Sequence, residues 1–179
     1  MAQRFLVGGL VLLAFTSGAR SEDKAVKAPA PTAQAGLERL KKLAGTWVVA
    51  DKDGKPTDQV VSVVRVTAAG SAVHETLFPG QPHEMVSVYH CDGPDLVMTH
   101  YCALGNQPHM KADPKSPANQ IRFQFAGGSN LDPAKDMHMH EGTVTFIDDD
   151  HIEWSGVCWE GGKPAKDHEC TIMKLVRKK

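Results

Sequence analysis

Glu84-Met-Val-Ser-Val-Tyr-His-Cys-Asp-Gly-Pro-Asp-Leu-Val-Met-Thr-His-Tyr-Cys102 consists of two alternating runs joined by Asp92-Gly93-Pro94-Asp95. Runs rich in Val, Tyr and Thr on either side of such a turn predict a β-hairpin. Side chains alternate across a strand. One face therefore collects Met85, Ser87, Tyr89, Leu96, Met98, His100 and Cys102, and the other Val86, Val88, His90, Val97, Thr99 and Tyr101. The first face mixes apolar bulk with polar groups able to orient a ligand. It makes Tyr89, Met98 and His100 candidate ligand-binding residues. Periodicity alone leaves open which face is interior, and His100 also reads as a core histidine satisfied by one hydrogen bond.

Gly105-Asn106-Gln107-Pro108-His109 follows directly. As a loop at the rim of a pocket it offers the amides of Asn106 and Gln107 to a polar ligand. As a plain turn, Gly105 and Asn106 tolerate left-handed backbone and Pro108 stops the strand.

The same hairpin grammar extends outward in both directions. Val60 to Thr67, Ala72 to Phe78, Gln120 to Phe125, Met137 to Ile147, His151 to Trp159 and Glu169 to Val176 read as strands. Turn signals separate them at intervals of about 8–12 residues, which indicates an antiparallel barrel or sandwich. Leu37, Leu40 and Leu43 space as one face of a short helix that ends at Gly45, and Gly45-Thr46-Trp47-Val48-Val49 opens the first strand. Lys111 to Ala118 and Gly127 to Lys135 read as loops.

A short helix, a Gly45-x-Trp47 strand opening and a series of hairpins resemble the calycin group of lipocalins and fatty-acid-binding proteins. The resemblance is closer still to secreted bacterial lipocalin-like proteins filed as domains of unknown function. It covers Leu37 to Val176, notably Leu43-Ala44-Gly45-Thr46-Trp47 and Thr99-His100-Tyr101-Cys102 running on to Gly105-Asn106-Gln107-Pro108. The resemblance implies an all-β, up-and-down antiparallel barrel of 8–10 strands with a short N-terminal helix, and places Trp47 at its closed base. Haem-binding relatives of the nitrobindin type extend the motif to Gly-x-Trp-x-Gly-x-Gly. Val49 and Asp51 occupy the later glycine positions here, which argues against haem.

The 179 residues suit one domain with a real core. Lys plus Arg number 20 against 21 Asp plus Glu, so no basic stripe points to nucleic acid. Arg4, the apolar run Phe5 to Phe15 and Ser17-Gly18-Ala19 have the form of a signal peptide over 1–19. The run is too short to cross a bilayer of about 30 Å. Residues 20–36 are Ala/Pro-rich and read as an extended, disordered tether. The barrel then occupies 37–179, in a periplasmic or secreted protein with no membrane segment after cleavage.

In an oxidising compartment Cys91, Cys102, Cys158 and Cys170 suggest disulfides. A turn near Pro164 would set Cys158 opposite Cys170, at a cross-strand Cβ distance of about 4.5–5.5 Å that a disulfide can bridge. Met137-His138-Met139-His140-Glu141 carries the metal-like signal. On a regular strand His138 and His140 share a face, and imidazole beside thioether suits zinc or copper. His151 or His168 would have to complete such a site. An exposed strand end is the simpler alternative. No Gly-x-Ser-x-Gly or His-Glu-x-x-His occurs, so hydrolase chemistry has no motif here.

The sequence thus predicts a barrel binding a small, partly apolar molecule; it leans against catalysis and leaves the question open. A zinc, copper or redox site at His138 and His140, or a self-filled interaction module, are the alternatives. Oligomeric state is not encoded in these patterns.

Overall fold

The structure, a computed structural model, describes residues 31–179, apart from the side chains of 31 and 166–171. The leader, and the tether as far as residue 30, lie outside the described residues. The chain forms α1 (Pro31–Lys41), β1 (Gly45–Ala50), β2 (Pro56–Thr67), a 3-10 turn (Ala68–Gly70), β3 (Ala72–Leu77), β4 (Met85–Asp92) and β5 (Asp95–Tyr101). It continues through β6 (Gln107–Ala112), β7 (Gln120–Ser129), β8 (His138–Phe146), β9 (His151–Glu160) and β10 (Lys163–Arg177). All ten strands pair with their sequence neighbours, and β1 pairs with β10 to close the barrel. The fold is the up-and-down antiparallel barrel expected, with the full complement of ten strands.

Helix α1 begins at Pro31, inside the stretch expected to be tether. Ala33, Leu37 and Leu40 recur at helical spacing and are all buried, so the helix plugs one end of the barrel. Gly36 lets it approach closely: a Cβ there would lie 2.8 Å from Leu96 Cδ2. The chain then turns at Gly45, whose φ of +138° favours glycine. Trp47, wholly buried, donates its indole N–H to the Leu43 carbonyl at 2.8 Å. Arg177, the last residue of β10, lies 4.5 Å over the indole ring. Its guanidinium donates to the carbonyls of Ala44, Lys42 and Asp149, and its Nε to Asp150 Oδ1. This latch seals the helix-bearing end.

At the opposite end the loop 130–137 is fastened to its neighbours. Asn130 Nδ2 donates to Gly105 O at 2.8 Å, Asn106 Nδ2 to Met137 O at 2.8 Å, and Gly161 N to Lys135 O at 3.3 Å.

Two local readings change. The stretch after Tyr101 makes only a short turn before β6, a strand the sequence reading lacked. Pro108 sits inside β6, fully buried opposite Gly128 and beside a register shift at His109/Met110, the kind of irregularity that accommodates proline. In the last hairpin the turn falls at Gly161-Gly162, with φ of +61° and +74°, rather than near Pro164. Positive φ at both positions is what a two-residue primed turn requires. A register shift between Pro164 and Glu169 then sets Cys170 opposite Gly156, and on its other side Cys158 stands opposite Met139 of β8. The expected Cys158–Cys170 pairing involves a side chain outside the described residues, and no disulfide is seen among the described ones.

Candidate functional site

The interior wall of β2–β5 is built from a run of adjacent polar side chains. The hairpin register matches the sequence reading, with Tyr89 opposite Met98 and Ser87 opposite His100. The Ser87, Tyr89, Leu96, Met98 and His100 face is the buried one. Next door, β3 brings Glu75 opposite Ser87. Glu75 takes an inward position between Val73 and Leu77, because it shares their alternation.

These groups are hydrogen-bonded. Ser62 Oγ donates to Glu75 Oε1 at 2.6 Å, and Tyr89 OH donates to Oε2 at 2.5 Å. Ser87 Oγ and His100 Nδ1 stand 2.9 Å apart. Burial raises the Glu75 carboxyl above its ordinary range, against the lowering effect of the two hydroxyl donors. Burial, reinforced by the Glu75 charge, also holds the Tyr89 phenol well above its usual range, so Tyr89 stays a donor. Burial pushes the His100 imidazole down to about 4, so it is neutral at physiological pH.

Apolar walls enclose this row. Tyr89 and Phe123 rings meet at 5.6 Å, and Met98 pairs with Met110 across β5 and β6. A residual space of about 10 Å³ remains between Glu75, Tyr89, Trp154, the helix residue Leu40 and Leu43 of the turn that follows it. That is room for about one water.

A second cluster lies at the loop-covered end. His140 is the extra residue of a β8 bulge between Met139 and Glu141, so Met139 turns into the core. His138 is fully buried, its Nδ1 2.8 Å from Asp136 O and its Nε2 3.0 Å from His140 Nδ1. A carbonyl only accepts, so His138 Nδ1 carries the proton and Nε2 accepts from His140 Nδ1. His140 stacks on Trp159 at 3.8 Å and on Phe125 at 4.9 Å. Burial, and then His138, hold the His140 imidazole below its ordinary range.

Sequence-predicted residues thus separate into two groups. Tyr89, Met98 and His100 come together on the inner wall. Asn106, through its bond to Met137 O, joins the His138–His140 end of the barrel. Gln107 is half-buried and donates back to Gly105 O, which is turn chemistry. His151 pairs with Asp148 at 2.8 Å in the β8–β9 turn, away from His138. The His168 side chain lies outside the described residues. Among the described residues no group of three or more His, Cys, Asp and Glu gathers as a metal site. Asn106 Oδ1 and Trp159 Nε1 are buried without a hydrogen-bond partner among the described residues.

Ser62 and Glu75 were missed in the sequence. The available signal was an acidic residue alternating with Val73 and Leu77, at a register that only the β3–β4 pairing makes interior.

The closed ten-strand barrel with its helix and sealed base is consistent with a lipocalin- or calycin-like fold. No protein-family model matches the chain, and no curated protein matches it. Among the described residues no helix is long and apolar enough to cross a membrane.

Proposed function

We propose that the protein is an exported barrel that binds a small, partly apolar molecule, with the inner wall of β2–β5 as its recognition surface. The observation that carries this reading is the row Ser62–Glu75–Tyr89, with Ser87–His100 beside it, in an otherwise apolar lumen. Burying a carboxyl, a phenol and an imidazole costs stability unless each is partnered. A core that needed only filling has no use for them. Unbranched Met98 and Met110 are the side chains best able to make room for a guest. Export rests on the leader read over 1–19.

Binding fits this wall better than catalysis. Ser87 contacts His100 through Nδ1, and among the described residues no acidic side chain orients the ring's other nitrogen. An imidazole held at about 4 is also a poor general base near neutrality.

The residual space of about 10 Å³ favours a second reading, a barrel filled by its own side chains. Native mass spectrometry of mature protein from an exporting host, with an absorption spectrum alongside, separates the two. The binding reading expects an organic adduct that is depleted in folded Tyr89→Phe and His100→Ala variants. A clean apo mass, with His100→Ala costing stability alone, supports the self-filled barrel.

A further inference from the structure

We propose that His138 and His140 form a two-imidazole chelate for a single cupric ion. The facing nitrogens, His138 Nε2 and His140 Nδ1, are 3.0 Å apart. Two imidazole nitrogens about 2.0–2.1 Å from one ion stand about 2.9 Å apart at a right angle and about 3.3 Å apart at the tetrahedral angle. The pair therefore already stands at the spacing of a metal's bite, and a turn of the rings would bring both lone pairs onto one ion.

The surroundings are those of a prepared ligand pair. His138 spends its Nδ1 proton on the Asp136 carbonyl, which leaves the Nε2 lone pair aimed at His140. Outer-shell carbonyls fix ligating imidazoles in this way. His140 is held flat between Trp159 and Phe125, so its position costs little further ordering. When the ion enters, His140 Nδ1 gives up its proton and its other ring nitrogen takes one from solvent. The ring stays neutral, and one N–H···N bond is replaced by two N–metal bonds.

The ion's identity follows from the donor set. Imidazole donors favour copper(II) over the other divalent first-row ions, and cis nitrogens suit its tetragonal geometry.

The test is titration of the full mature chain with copper(II) alone, followed by electron paramagnetic resonance and tryptophan fluorescence. One equivalent should bind, with hyperfine structure from two nitrogens and quenching of Trp159. His140→Phe keeps the aromatic stack and should weaken that equivalent by about 10–100-fold or more. His138→Asn should do the same, provided its thermal melt shows it folded. Equal uptake by wild type and His140→Phe overturns the proposal, as does a one-nitrogen spectrum. Tighter binding of zinc than copper overturns the choice of ion.

Discussion

His100 and Glu75 sit on one wall, on strands either side of β4, yet burial moves their proton affinities in opposite senses. The His100 imidazole falls from 6.5 to about 4 on folding. Between those values the unfolded chain binds a proton that the folded chain refuses, so stability is lost as pH drops through the window. In full this amounts to on the order of 3 kcal/mol. The Glu75 carboxyl is raised above 4.5 by burial. Its contribution is complete below that value and is lost as pH rises through the raised one. Urea titrations across this range should therefore show an acid-side fall that His100→Gln removes. Glu75→Gln should remove a decline on the higher side. A profile unchanged by both variants would mean that water reaches the wall. The two residues also differ in how visible they were. His100 stood out because a histidine interrupts an apolar alternation inside a strong hairpin. Glu75 looked like an ordinary charged strand residue, since nothing local marks it as interior.

Elements were legible where period and punctuation agreed. Tyr89 opposite Met98 followed from a four-residue turn alone. Strand β6 was not, because Pro108 and its Gly-Asn neighbours carry turn chemistry that tertiary pairing overrides. The His140 bulge escaped for a related reason: strict alternation put both histidines on one face, whereas an inserted residue let Met139 enter the core. Helix α1 makes a sharper prediction. Its docking depends on the absence of a side chain at Gly36, where Leu96 leaves no room. Gly36→Val should cost about 1–3 kcal/mol through overpacking, despite any gain in helix propensity. Urea melts that matched wild type would show that the helix rides loosely on the barrel end.

At the scale of the whole molecule, the closure made by β1 and β10 is reinforced by one residue, Arg177. Arg177 joins the first strand, the helix exit and the β8–β9 turn through four acceptors and the Trp47 ring. Arg177→Ala leaves these carbonyls without their charged donor and should cost roughly 2–3 kcal/mol. Arg177→Lys should recover only part, since an ammonium cannot reproduce the planar fork. Chemical denaturation of both variants measures the difference, and equal stability of all three proteins would reduce the latch to a surface contact. The pairing of Val48 with Val176 spans nearly the entire domain. Contacts this distant form slowly, because the intervening chain must first be ordered. The barrel therefore cannot shut until β10 has left the ribosome, and a nascent chain that still lacks that strand stays unclosed.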